Sequence, residues 1–203
     1  MHISEGVLSL PVLAGGWALA AGGVAIGLRR LEYDRIMTVA IISAAFFVAS
    51  LIHVPIGPAS VHLILNGLLG VILGSAAFPA ILIALLLQAV LFQFGGFTIL
   101  GVNTFDMAFP AVLCYLAFRP WLRAGGRKRA IGAFLCGFLA VLISGCLTAG
   151  ALALSGEAFL VTAQAILLAH VPIMFIEGIL TSIAVGFLAK VRPEMFSMNL
   201  AHR

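Results

Sequence analysis

Charge is what this 203-residue chain has least of: Asp, Glu, Lys and Arg together make up 9% of it, while 63% is hydrophobic. A soluble domain carries roughly 25% charged residues, so this composition excludes a water-exposed globular fold and predicts an integral membrane protein. No long polar segment interrupts the apolar sequence; the longest, Arg119 to Arg129, has the length of a loop, and residues 1–203 read as a single integral membrane domain. No Lys or Arg precedes Arg29, and a secretory signal needs a basic start, so the N-terminus is expected to be retained. A nucleotide-binding GxxxxGK[ST] loop is missing, as is an H-E-x-x-H helix, so the sequence offers neither ATP hydrolysis nor zinc-protease chemistry. The only cysteines, Cys114, Cys136 and Cys146, fall inside apolar runs and read as small buried hydrophobes rather than ligands or a disulfide.

What is present is a series of apolar runs, each near the 17 to 25 residues that cross a bilayer. Seven can be drawn: Leu8 to Leu28, Ile36 to His53, Ser60 to Ala77, Phe78 to Phe94, Asn103 to Phe118, Ala130 to Leu154, and Val161 to Lys190. The expected fold is therefore all-α, a polytopic bundle of about seven transmembrane helices. Between them, the loops HVPIGPAS, QFGGFTILGV and SGEAF contain no Lys or Arg, and all 11 basic residues fall on the opposite side. Cytoplasmic loops are the ones enriched in Lys and Arg, so the pattern predicts the N-terminus outside and the C-terminus in the cytoplasm. The net charge of +4 reports orientation and gives no reason to invoke nucleic acid.

On that frame the scarce polar residues converge at the outer end: Met1, His2, His53, His62, Asn66, Asn103, Asp106 and His170. Ionisable groups within a bilayer are costly and normally face a cavity or the bundle interior. Met1 and His2 offer an α-amine, an amide nitrogen and an imidazole, which close adjacent five- and six-membered chelate rings on one metal. A square of nitrogen donors suits Ni(II) or Cu(II). In PASVHLILNGLLGVILG, His62 can supply the fourth nitrogen, and Asn66, four residues on and on the same face if the run is helical, would orient a ligand. Gly67, Gly70 and Gly74 follow with the spacing of close helix packing.

In FGGFTILGVNTFDMAFP the glycines allow a tight turn, Asn103 is read as a clamp on the N-terminal segment, and Asp106 as either a supporting carboxylate or a helix-start acid. Both His53 and His170 are candidate supports. On the last run His170, Met174, Glu177 and Thr181 form one stripe. Glu177 would lie near 24 Å deep at about 1.5 Å per residue and serve as a polar anchor between helices.

The start MHISEG, the His of ASVHLILNG, the run FGGFTILGVNTFDMA and the late MFIEGILT resemble the CbiM/NikM family over nearly the whole chain. Its members are the metal-binding S components of cobalt and nickel energy-coupling-factor transporters. The resemblance implies a metal held by Met1, His2 and His62, with Co(II) or Ni(II) as transported substrate and no catalytic cofactor. It also implies a bacterial or archaeal cytoplasmic membrane location, cobalt uptake for cobalamin biosynthesis or nickel uptake for nickel enzymes, and dependence on partners. These are a transmembrane coupling subunit (T component) and a pair of cytoplasmic ATPases (A components), with room for a small accessory membrane subunit. The alternatives are an ATP-independent metal channel and a membrane metal receptor. A channel would need ligands repeated along its pore, whereas here they cluster at one end.

Overall fold

The computed structural model describes residues 2–51, 53–56 and 59–193. Seven α-helices account for most of it: α1 (Leu10–Arg29), α2 (Ile36–Ala49), α3 (Asn66–Leu73), α4 (Ala77–Phe92), α5 (Leu100–Ala124), α6 (Gly126–Ala153) and α7 (Leu160–Val191). Local chemistry sets several ends. Pro11 occupies the first turn of α1, where its missing N–H is no loss. Gly125, at φ +73°, divides α5 from α6 in a conformation that side chains disfavour.

Contacts between helices fix their directions. Asn66 of α3 donates to the Met107 carbonyl of α5, and a Cβ on Gly70 would fall 2.1 Å from the Ala111 carbonyl oxygen, so α3 and α5 run parallel. Ser43 of α2 donates to the Ala80 carbonyl and Gln88 of α4 to the Phe47 carbonyl, so α2 and α4 also run parallel. The descent of α5 leads from Asn103, bonded to Ile3, to Arg119, which lines a 480 Å³ cavity together with Arg29, Arg30 and Arg35. Because α2 starts next to Arg35 and leads away from that cavity, α4 climbs while α3 descends. The chain therefore reverses between them, at Gly74 with φ +57°. The packing of Gly137 against Glu177 and Thr181, and of Ser182 against the Ala130 carbonyl, makes α6 and α7 antiparallel. Every described Lys and Arg thus lies toward one end of the bundle, and His2 lies at the other.

By length and composition five helical stretches are apolar enough to cross a membrane: Leu10–Arg29, Asn66–Phe92, which doubles back at Gly74, Leu100–Ala124, Gly126–Ala153 and Glu157–Val191. Their outward faces expose large apolar side chains such as Ile26, Ile83, Leu168, Ile183 and Phe187, the coat of a protein solvated by lipid. The molecule is a multi-pass membrane protein.

Two expectations need correction. The fold is not all-α, because β1 (His2–Ile3), β3 (Ala59–His62) and β2 (His53–Ile56) form an antiparallel sheet in that spatial order. Among the described residues seven full-length spans are not present either. Within the run Ser60 to Ala77 the one α-helix, α3, has eight residues and reaches about 12 Å before the turn at Gly74, and Ala77 already begins α4. The 14 residues of α2 reach about 21 Å, short of the ~30 Å hydrocarbon core. Hydropathy could not show this, because apolar side chains suit a buried strand as well as a helix. Of the glycines expected to pack helices, Gly67 abuts Gly137 and Gly70 abuts Ala111, whereas Gly74 makes the turn. Cys114 and Cys136 are buried and Cys146 is exposed on the outer surface of α6; all three are free thiols.

Candidate metal centre

The sheet brings the N-terminus and the internal histidine together. In its register His2 faces Ser60 and His53 faces His62. Met1 lies outside the described residues, and so does Pro58. Beyond the sheet, β1 is held by Asn103 of α5, whose Oδ1 accepts from Ile3 N at 3.1 Å and whose Nδ2 donates to Ile3 O at 3.3 Å, as a neighbouring strand would. The 93–99 loop fastens the next residues: Glu5 N donates to the Gly95 carbonyl at 3.2 Å, and the exposed Glu5 carboxylate accepts from Thr98 N at 3.0 Å. The Thr98 amide, donating to it, holds the carboxyl of Glu5 below its usual range. Gly95 has φ +77°, and a Cβ there would sit 3.1 Å from Asn103 Nδ2, so glycine lets the loop close over the clamp.

The imidazoles of His2 and His62 are buried with their ring centres 4.6 Å apart and planes inclined by 36°. Two imidazoles bound at right angles to one ion, at metal–nitrogen distances of about 2.0 Å, put their centres about 4.4 Å apart; bound opposite each other they would be about 6.2 Å apart. The observed separation matches adjacent positions.

Hydrogen bonds also fix which ring nitrogen is which. His2 Nε2 lies 2.8 Å from Gln88 Oε1, while Gln88 Nε2 donates to the Phe47 carbonyl at 3.1 Å and to Ser50 Oγ. The Phe47 carbonyl can only accept, which orients the Gln88 amide and makes His2 Nε2 the protonated donor. That leaves His2 Nδ1 as the nitrogen able to share a six-membered ring with the residue's own amide. His62 Nδ1 lies 2.9 Å from the Leu63 carbonyl and must carry its proton, so Nε2 is the nitrogen that can act as a ligand. Burial in the strand layer pushes the His2 imidazole down to about 3 and that of His62 well below its usual range, so both are neutral donors.

Gln88 is the residue that sequence reasoning missed. Its signal was there: it is the only polar side chain in Ala77–Phe92.

The other candidates scatter. His53 is half-buried, bonded to the Leu51 carbonyl at 3.0 Å and set edge-on to Phe94; with His2 it lines a 140 Å³ opening beside the centre. Asn66 does not share a helical face with His62, which ends a strand; its amide donates to Met107 O and Ser144 Oγ, tying α3 to α5 and α6. Asp106 is buried, accepts from Thr148 Oγ1 at 3.2 Å and lies in the second turn of α5, past the helix start. His170 is buried and bonded to the Ile166 carbonyl of its own helix at 2.7 Å. Among the described residues no group of three or more His, Cys, Asp or Glu side chains converges.

The CbiM family model, described as the cobalt uptake substrate-specific transmembrane region, matches residues 2–195. A protein of Haemophilus influenzae assigned to metal transport is 44% identical over 200 residues, 97% of each chain. The cobalt transport protein CbiM of Sorangium cellulosum is 35% identical, with 96% of this chain and 94% of that one covered. A crystal structure of a transition metal transporter superposes with a TM-score of 0.81 at 28% identity, covering 100% of both chains. With a family match over nearly its whole length and the same fold in a solved metal transporter, the chain belongs to the CbiM family, the substrate-specific transmembrane components of cobalt and nickel uptake, and is a transport protein rather than an enzyme.

Proposed function

We propose that this protein captures Co(II) or Ni(II) in a square of four nitrogens: the Met1 amine, the His2 amide, His2 Nδ1 and His62 Nε2. The observation that carries the reading is the pair of neutral, buried imidazoles at the separation of adjacent ligands, each with its other ring nitrogen engaged by a hydrogen bond. A set of this kind discriminates by geometry. Octahedral Mg(II) and Ca(II) prefer oxygen, whereas d-block ions near the top of the affinity series can displace the amide proton. His53, at the opening beside the centre, is placed to meet an incoming ion, while Asn103 and Gln88 hold β1 and its imidazole. Asp106 and His170 support the surrounding helices.

The sheet end faces outside and the Arg-rich end faces the cytoplasm, in keeping with the distribution of Lys and Arg. The ion enters from outside and is released inward when a transmembrane coupling subunit and a cytoplasmic ATPase pair supply the energy. The test uses an untagged N-terminus. Metal retained after dialysis should approach one ion per chain in the wild type and fall to background in His62→Ala and in a variant carrying four residues ahead of Met1. An extended variant that still holds its ion at wild-type affinity would exclude the terminal amine as a ligand. Uptake into vesicles lacking the ATPase pair would instead favour a channel.

A further inference from the structure

The stretch that follows His62 is held from a distance. Leu63 to Leu65 connect β3 to α3, and Leu65 sits at φ +54°, a left-handed conformation that a leucine adopts only when its surroundings impose it. What imposes it is Glu177 of α7. Its Oε1 accepts from both Ile64 N and Leu65 N, the latter at 2.7 Å, from 112 residues away in sequence. Glu177 is fully buried, and Gly137 lets α6 press against its backbone: a Cβ there would lie 2.5 Å from the Glu177 carbonyl oxygen.

The Ile64 N–H and the Leu63 carbonyl belong to one peptide group. On one side that group donates to Glu177, and on the other it accepts from His62 Nδ1 at 2.9 Å. We infer that Glu177 is a positioning residue for His62, acting through the Leu63–Ile64 peptide: carboxylate, peptide and imidazole form a relay that fixes the Nδ1–H tautomer and turns Nε2 toward the metal. A carboxylate bonded directly to a ligating histidine orients the ring and raises its basicity. Here the peptide stands between them, and polarisation along a buried chain of hydrogen bonds carries the effect. A carboxylate accepting at the N–H makes the carbonyl oxygen of the same peptide a stronger acceptor for the imidazole proton. The relay's geometry is independent of the metal centre proposed above; its consequence for affinity rests on that reading.

Two readouts on the full chain in lipid nanodiscs separate the two ideas. The tautomer of His62 is read by nitrogen NMR of histidine-labelled protein without metal, and Ni(II) affinity by competition titration, for wild type, Glu177→Gln, Glu177→Ala and His62→Ala. Glu177→Gln keeps an oxygen acceptor but no charge. It should retain the Nδ1–H tautomer, bind Ni(II) about tenfold more weakly, and shift the d–d absorption of the bound ion to longer wavelength. Glu177→Ala should give a mixture of tautomers and about a hundredfold loss, the range seen when outer partners of ligating histidines are removed. If Glu177→Ala does not fold, Glu177→Gln alone decides through affinity and absorption. Wild-type affinity and an unmoved absorption band in Glu177→Gln would overturn the relay, as would an unmoved His62 tautomer in a folded Glu177→Ala. Retained binding in His62→Ala would overturn the metal centre instead, leaving the tautomer measurement to judge the relay.

Discussion

Replacing Gln88 by Leu keeps the volume of the side chain and removes the acceptor that fixes the His2 ring. In the wild type, Gln88 Oε1 lies 2.8 Å from His2 Nε2, and the Gln88 amide is itself held by Phe47 and Ser50. Gln88 is fully buried and His2 6% exposed, and the leucine fills the space the amide leaves, so His2 Nε2 loses its acceptor. A buried donor left without an acceptor costs about 1–3 kcal/mol, and ~1.4 kcal/mol corresponds to tenfold in affinity. Part of that cost is avoided in the metal-free protein, where the ring can move its proton to Nδ1. The proposed bound state has no such escape, since there Nδ1 is the ligand. Binding should therefore weaken about 10- to 100-fold, the range known for outer partners of ligating histidines.

The assay is competition titration of Ni(II) and Co(II) against a chromophoric chelator in detergent, with size-exclusion and thermal unfolding as fold controls. The sign is as informative as the size. If His2 bound through Nε2, removing Gln88 would release that nitrogen and affinity would rise. A folded Gln88→Leu protein with unchanged or tighter binding would refute the assignment of Nδ1.

Three more outcomes follow from the same geometry. Burial lowers the pKa of both imidazoles, His2 to about 3, so neither holds a proton at mildly acid pH, and in the proposed donor set only the amine and amide release protons on binding. The logarithm of apparent affinity should then rise by about two per pH unit below the amine pKa of about 8 and fall off as pH drops; a slope approaching four below about pH 6 in calorimetric titration would show protonated imidazoles. Asn103→Ala removes both bonds to Ile3; the Ile3 amide should exchange its hydrogen faster by NMR, and affinity should drop about tenfold, by ~1.4 kcal/mol. Gly70→Ala drives a methyl to 2.1 Å from the Ala111 carbonyl and should cost about 1–3 kcal/mol in thermal unfolding, whereas Gly150→Ala, with nothing within 4 Å, should be neutral or stabilising by up to about 1 kcal/mol.

The sequence by itself determined the solvent and the polarity of the molecule. Its charge is too sparse for water, and its Lys and Arg residues fall in segments that the fold gathers at one end; both properties are summed over many side chains and survive errors at any element boundary. It also singled out the two histidines and the asparagine of the proposed centre, because polar groups in an apolar chain stand out individually. What only the tertiary structure decided was the state of the segment that carries His62. Ala59–His62 is apolar enough to begin a helix, and it is a strand because its hydrogen-bonding partners arrive from His53–Ile56 and from His2–Ile3 at the start of the chain. The reversal at Gly74, the bond from Gln88 to His2 and the grip of Glu177 on the Ile64 and Leu65 amides have the same origin. Each depends on which distant group reaches a given backbone or ring nitrogen, and hydropathy and helical spacing carry no information about that.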